Sequence, residues 1–478
     1  MLRILYAVAE ESPFIKTGGL GDVAGALPKV LKDHHVDVRV VLPLYKQIHE
    51  KYGNQMTKLS EFTVHLGWRE QYVGIMTLEF NGVTHYFIDN KFYFFRDQIY
   101  GEGDDGERFV YYSKVIAQLP KYIDFKPQII HTNDWHTALT NVYVKEYAKY
   151  DSFYQEIKTV FTIHNLRYQG IFDSTMLEDT MDLPRTYYNE DGLKFYDNIN
   201  FMKGGIVYSD AVNTVSESYA EEIKYPYFGE SLDGIIRKHE NKISGIMNGI
   251  DYDVYNPGHD SHIHRNYDMR SISRKKDNKV YLQEKYGLPI NPDIPMLSMV
   301  TRLNEMKGLD LIAHIFDELI QEDIQFVVLG IGDKKYEEMF CCFQDRYPEK
   351  VASRIYFNES ESHEVYAASD IFVMPSKVEP CGLSQLIALK YGTVPVVRAI
   401  GGLKDSICPY NPSTGLGNGF IFEHFNAHGC LFAIKEALKL FEDKTVWDKL
   451  MKECMKSIND WNKSSKNYIG IYELVSNS

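Results

Sequence analysis

The sequence predicts an α/β protein of two domains, each built on a parallel sheet. Three observations carry the prediction. Short apolar runs alternate with helical stretches along the chain, the alternation breaks once near the middle, and each half carries a double glycine where a strand gives way to a helix. The first runs lie at 2–9, 37–44, 128–132, 158–163 and 211–215. A second set lies at 296–302, 325–330, 354–357, 371–375, 394–399 and 419–422. Runs without polar alternation are what strands covered on both faces require. Between the sets, 253–295 brings Asn256-Pro257-Gly258, a polar passage and Pro289, Pro292 and Pro295, and is read as a link, the second sheet opening at Met296. Spaced apolar residues from Phe432 to Leu450 fit one amphipathic helix over 432–456, and a last segment runs from Trp461 through Tyr468 to Leu474.

The length of 478 residues suits several domains, and 44% hydrophobic with 25% charged residues is the balance of a chain that buries a core. Fifty-two Lys and Arg against 66 Asp and Glu leave a formal charge of −14, which offers no bulk positive field to nucleic acid or an anionic membrane. An anionic ligand would have to meet a local cluster of cations. The first apolar run meets Glu10-Glu11 too soon for a signal peptide or a membrane span, which predicts a cytoplasmic protein. The cysteines, at 341, 342, 381, 408, 430 and 454, form no CxxC pair, so neither a disulfide framework nor a zinc site is indicated.

Gly18-Gly19 follows the first strand and Gly401-Gly402 a late one. Glycine there lets backbone N–H groups approach an anion, and a helix N-terminus adds a favourable dipole. Two such loops, one per domain, predict a ligand held in a cleft between them; the plain alternative is a pair of tight turns with no ligand. Neither is a GxGxxG fingerprint or a P-loop, so a dehydrogenase or an ATPase loses ground. Lys16 stands at the entrance of the first turn, and Arg302 and Lys307 at the exit of the strand that opens the second domain, where open parallel sheets bind ligands. His131, Asp134, Trp135 and His136 end one strand and His164 another, as either substrate contacts or buried structural histidines.

Glu379 and Cys381 follow the strand ending at Pro375. No adjacent His supports a thiolate, so Cys381 is read as a packed or substrate-adjacent thiol and Glu379 as a positioner of sugar hydroxyls. Asp251-Tyr252-Asp253 has a DxD form, and Asp104-Asp105-Gly106-Glu107 is an acidic run. Each offers too few converging oxygens for a hard cation. The run is expected to be a solvated loop, with Phe92 to Phe95, Tyr100, Phe109, Tyr111 and Tyr112 offering flat faces to a carbohydrate.

KTGGLGDVAGALPK (16–29), HTNDWHTAL (131–139), TIHNLRYQG (162–170), NGIDYDVYNP (248–257), TRLNEMKGLD (301–310) and the stretch from EPCGLSQ to GGLKDSI (379–407) stand in order, and together the sequence resembles the bacterial glycogen synthase and plant starch synthase family over essentially its whole length. The resemblance implies the GT-B architecture, two Rossmann-like domains with parallel sheets facing across an interdomain cleft that closes on substrate. It divides the chain into an acceptor-side domain 1–250, with a helix at 460–478 packing back on it, and a nucleotide-sugar domain 251–459. It also implies a retaining transfer of α-glucose from ADP-glucose to the non-reducing 4-hydroxyl of an α-1,4-glucan, glycogen or a maltooligosaccharide, without metal or other cofactor.

By motif position, the resemblance gives the donor diphosphate to Lys16, Gly18 and Gly19 on one side and to Arg302, Lys307, Gly401 and Gly402 on the other. Glu379 would hold the glucose near its 3-hydroxyl, with Cys381, Gly382 and Leu383 beside it. Asp134, Trp135, His164 and Asn248 would line the reacting sugar, Tyr100 would approach donor or acceptor, and the adenine would lie near Phe357. One departure is Ile387, where the wider superfamily often has a second Glu. The residue types suit the chemistry, because breaking the anomeric C–O bond leaves negative charge on the diphosphate and positive charge on the sugar, so fixed cations at the leaving group act most strongly in the transition state. Two alternatives stay open: a transferase using UDP-glucose or another acceptor, and an inactive glucan-binding scaffold.

Overall fold

In the computed structural model, which describes residues 1–477, the chain divides into two compact units, Met1–Ile246 with the C-terminal helix Trp461–Ser476, and Met247–Asp460. The strands of the first unit are β1 (Arg3–Ala7), β2 (Asp37–Pro43), β3 (Thr57–Leu66), β4 (Arg69–Phe80), β5 (Val83–Asp89), β6 (Ile129–Asn133), β7 (Lys158–Ile163), β8 (Ile171–Asp173), β9 (Lys194–Phe195), β10 (Asn198–Asn200), β11 (Ala211–Thr214) and β12 (Ile243–Gly245). One sheet runs β12-β11-β7-β6-β1-β2-β5-β4-β3, parallel except where β4 pairs antiparallel with β5 and β3. A small antiparallel sheet holds β8, β10 and β9.

The second unit has β13 (Met296–Val300), β14 (Gln325–Leu329), β15 (Val351–Arg354), β16 (Ile371–Met374), β17 (Val394–Arg398) and β18 (Phe420–Phe422), all parallel, in the order β15-β14-β13-β16-β17-β18. Both sheets are doubly wound. The strand order reverses between β1 and β6 in one and between β13 and β16 in the other, and ligands of such sheets bind at the carboxyl ends of the strands flanking the reversal.

Four sequence expectations need correction. The strands β3, β4 and β5 were not anticipated, because β3 alternates between solvent and core with Lys58, Glu61 and His65 outward and so shows no apolar run. The strand expected at 354–357 lies three residues earlier, leaving Phe357 beyond its end and 69% exposed. The helix expected over 432–456 is two, Ala427–Phe441 and Lys444–Lys456, because the Asp443 side chain accepts from the N–H groups of Thr445 and Val446 and starts a new helix. The link 253–295 contains the helix Lys275–Tyr286, ended by Gly287 at φ +73°. Its charged sequence hid an inner face on which Leu282 and Tyr286 pack against Met296, Val327 and Leu329, while the buried Lys275 ammonium donates to the carbonyls of Tyr366 and Ala367.

The C-terminal helix is tied to the first sheet by a directed chain of hydrogen bonds. The Thr162 hydroxyl donates to Asn213 Oδ1 (2.7 Å), so His131 Nε2–H donates to Thr162 Oγ1 (2.6 Å) and His131 Nδ1 accepts from the Tyr472 hydroxyl (2.7 Å). Asn213 Nδ2 donates to Tyr468 Oη (3.2 Å), so both tyrosines of the helix are engaged. No helix of the described residues is long and apolar enough to cross a membrane.

Candidate active site

In the first unit the loop after β1 folds back on a carboxylate that the sequence reading passed over. Glu10, 2% exposed, accepts from Thr17 N (2.7 Å), Thr17 Oγ1 (2.5 Å) and Gly21 N (3.1 Å), which fixes the turn holding Lys16, Gly18 and Gly19 at the start of the helix Gly19–Asp33. Burial raises the Glu10 carboxyl even so. Lys16 Nζ reaches Asp22 at 2.5 Å, and a side chain at Gly21 would press on Lys16 at 3.1 Å.

At the adjacent strand ends, Asp134 adopts φ +53°, uncommon for a residue with a side chain, and its Oδ1 accepts from the His164 backbone N–H at 2.7 Å. Burial pushes the Asp134 carboxyl up to about 7. The His164 ring is set by Asn133. Because Asn133 Nδ2 donates to the Ala7 carbonyl (3.1 Å), its Oδ1 is the acceptor, and His164 Nε2–H must be the donor across 2.9 Å. Burial lowers His164 to about 3, so the ring is neutral with Nδ1 as its lone-pair nitrogen.

Trp135 is walled by His136 (4.1 Å between ring centroids) and Phe109 (5.0 Å), and Gly170 at φ +63° leaves it room, since a Cβ there would stand 2.4 Å from Trp135 Cε3. Tyr100 stacks on His136 at 4.4 Å. The hydroxyls of Tyr100 and Tyr45 and Nδ1 of His136 are buried with no hydrogen-bond partner among the described residues. Glu10, Tyr45 and Asp134 all lie close enough to act on Tyr100 electrostatically, and burial holds its phenol well above its ordinary range and His136 well below its own. Leaving such atoms unpaired costs about 1–3 kcal/mol each, which a ligand with hydroxyl groups would recover.

The second unit presents the other set at the ends of β13 and β16. Lys307 Nζ lies 2.6 Å from Glu379 Oε2, which also accepts from Ser376 Oγ at 2.9 Å. Arg302 is exposed at the exit of β13. Gly401 at φ +44° and Gly402 lie so close to the backbone after Glu379 that a Cβ would meet Glu379 O and Cys381 O, each at 2.0 Å. The double glycine therefore has a packing reason, and it fixes the Glu379–Cys381 segment. Gly382, at φ +71°, and Leu383 lead into the helix Ser384–Lys390, whose Gln385 donates to Cys381 O (3.0 Å) and Gly382 O (2.9 Å). Cys381 is buried near Asn248 and burial pushes its thiol up to about 12; Asn248 Oδ1 is itself buried and without a hydrogen-bond partner.

The structure thus gathers Lys16, Gly18, Gly19, Tyr100, Asp134, Trp135 and His164 at one switch point, and Arg302, Lys307, Glu379, Cys381, Gly382, Leu383, Gly401 and Gly402 at the other. Phe357 stands apart on the surface beyond β15. The acidic run is not a solvated loop: Asp104 pairs with Arg96 (2.5 Å) and Asp105 with the buried Arg108 (2.7 Å) at the start of the helix Asp105–Gln118. Tyr93, Phe94, Phe109, Tyr111 and Tyr112 are core residues and offer no face to a carbohydrate. The side chain of Asp251 in the DxD accepts from Asp253 N (2.8 Å), an ordinary Asx turn. Sequence reading missed Glu10, Asn133 and Tyr45; a buried carboxylate directly after the first strand was the available signal for Glu10.

Two doubly wound units, each with cationic and hydrogen-bonding groups at its switch point, suit an anionic, hydroxyl-rich ligand, and comparison with known proteins gives the class, a glycosyltransferase. Residues 3–238 match the starch synthase catalytic domain family and 283–453 the glycosyl transferases group 1 family. A glycogen synthase of Finegoldia magna is 52% identical over 475 residues, spanning 99% of this chain and 100% of its own. One from Bacillus cereus is 49% identical over 472 residues, 99% of each chain. The catalytic domain of starch synthase IV from Arabidopsis thaliana, solved with ADP and acarbose, is similar with a TM-score of 0.92 at 30% identity over 100% of both chains. A sucrose-phosphate synthase from Thermosynechococcus elongatus, TM-score 0.62 at 15% identity over 100% of both chains, shares the fold. The chain belongs to the glycogen synthase and starch synthase family and is a glycosyltransferase.

Proposed function

We propose that the protein transfers α-glucose from ADP-glucose, with retention, to the non-reducing 4-hydroxyl of an α-1,4-glucan. The observation that carries this reading is the Lys307–Glu379 pair, an ammonium and a carboxylate 2.6 Å apart at the ends of the two strands flanking a switch point. One partner suits a departing diphosphate and the other a sugar hydroxyl. The relatives' names and the ADP and acarbose bound to the starch synthase support donor and acceptor alike.

Lys16, Arg302 and Lys307 neutralise the diphosphate and Gly18-Gly19 bring backbone N–H groups to it, while Gly401-Gly402, whose Gly402 N–H is given to the carbonyls of Glu379 (3.3 Å) and Pro380 (3.2 Å), hold the Glu379–Cys381 segment in place. Glu379, held by Lys307 and Ser376, positions the glucose rather than attacking it, with Gly382 and Leu383 shaping the turn beside it. Cys381 is no nucleophile, because a thiol at about 12 is protonated at neutral pH. Retention through a covalent intermediate in glycosidases uses two carboxyl groups about 5–5.5 Å apart. We assign instead a same-face exchange: the bond from C1 to phosphate oxygen breaks, the bond from C1 to the acceptor O4 forms, and the acceptor proton passes to the departing phosphate. Asp134 fixes the His164 peptide beside the positive anomeric carbon, and Trp135, Tyr100 and Asn248 meet the sugars with an apolar face and unpaired polar atoms. Phe357, exposed beyond β15, is assigned to the adenine.

The test is incorporation of labelled glucose into glycogen from ADP-glucose and from UDP-glucose in parallel. Faster incorporation from ADP-glucose is expected; no incorporation from ADP-glucose overturns the reading.

A further inference from the structure

Trp68 stands 80% exposed at the turn between β3 and β4, where the hydrophobic effect alone would not leave an indole. The turn is not loose. Gly67 has φ +61°, and a Cβ there would stand 2.0 Å from Asp179 O, so the hairpin tip is seated directly on the backbone of the short helix Met176–Asp179. Arg69 locks the junction, donating to Asp179 Oδ2 (3.0 Å) and Asp179 O (3.1 Å) while its guanidinium carbon lies 4.8 Å from the centre of the Trp68 ring. One indole face is therefore covered by Arg69, and the exposure belongs to the other.

That ring borders a cavity of about 460 Å³, within the size range of small-molecule sites, whose wall continues through Thr175, Glu178, Asp179, Arg185 and Tyr188. The charges on the wall are mutually compensated: Arg185 lies 3.4 Å from Glu178 and Arg69 3.0 Å from Asp179. A neutral rim gives a phosphate or a polycation no advantage. A fixed aromatic face beside hydroxyl, carboxylate and guanidinium groups suits a ligand that is apolar on its C–H faces and dense in hydroxyls at its edge, which is a hexopyranose. β3 runs parallel to β5, so the hairpin tip lies on the same carboxyl edge of the sheet as Asp134 and His164, at its far end, and the cavity shares no residue with the candidate active site.

We propose that this cavity is a second, non-catalytic site for an α-1,4-glucan chain, with Trp68 as its stacking platform. The inference rests on the glucan-acceptor reading above. A polymer engaged there raises the effective concentration of its chain ends at the active site, whereas a trisaccharide, too short to engage both, gains nothing.

The experiment compares the full chain with Trp68→Ala and Trp68→Phe in native gels with and without glycogen, and measures KM for glycogen, maltotriose and ADP-glucose. For Trp68→Ala we expect weaker retardation by glycogen and a KM for glycogen raised roughly three- to tenfold, with kcat and the KM values for maltotriose and ADP-glucose unchanged. Trp68→Phe, which keeps a flat ring, should fall between. Unchanged retardation and KM in Trp68→Ala, or an equal loss with maltotriose, overturns the proposal. Should no glucose be transferred from ADP-glucose at all, the functional reading fails, while the gel comparison still decides whether Trp68 binds glucan.

Discussion

Lys307 and Cys381 both lie close to the Glu379 segment, yet they are expected to respond oppositely to replacement. Lys307→Ala removes the ammonium that the proposed function sets beside the leaving group and should lower kcat roughly 10²–10³-fold in a transfer assay, while glycogen retardation in a native gel stays near normal. Cys381→Ser replaces a thiol that is protonated at neutral pH and should keep most of the activity; complete inactivation of a normally folded variant would assign the sulfur a chemical role. Asp134 gives a prediction in pH. Its folded carboxyl is at about 7, above the ~3.9 of an unfolded chain, so its contribution to stability is fully present below about 4 and is lost as pH rises toward 7. In urea melts, Asp134→Asn should therefore gain stability relative to the parent as pH rises from 4 to 7; a constant difference would show that the carboxyl is not raised. The placement of Lys16, Arg302, Lys307 and Glu379 beyond strand ends was legible in the sequence because a charge beside a strand exit or a double glycine is a local signal. The unpaired atoms of Tyr45, Tyr100 and His136 were not, because their lack of partners arises only when β2, the loop before the helix Asp105–Gln118 and the end of β6 pack together.

Among the elements, the C-terminal helix shows how polar groups inside a sheet fix a distant segment. Tyr472→Phe deletes the hydroxyl that His131 Nδ1 accepts from, leaving a buried nitrogen unpaired, and should lower unfolding free energy by about 1–3 kcal/mol with little change in KM for ADP-glucose. Most of the parallel strands could be read in the sequence because burial on both faces makes them continuous apolar runs; β5, whose run is broken by Thr84 and His85, and the three-residue edge strand β12 could not. β3 and β4 could not, being half exposed, and the helix Lys275–Tyr286 was concealed by lysines, one of which turns inward to bind backbone carbonyls. The double glycine at 401–402 was found for one reason and explained by another. It was read as an anion turn, and the structure adds that neither position has space for a Cβ against the Glu379–Cys381 backbone.

For the whole molecule, the formal charge of −14 accords with the proposed neutral glucan acceptor, and the proposal leaves the anionic donor to a few local cations. The two doubly wound sheets carry different groups near their strand reversals, an ammonium–carboxylate pair in one unit and unpaired buried hydroxyl and imidazole groups in the other. The most direct test of the central claim is a proton NMR record of the product made from ADP-glucose and maltotriose. Growth of the anomeric signal of an α-1,4-linked glucose, with consumption of the donor, is the predicted result; a β-linked product, or donor consumed only to free glucose, would contradict it.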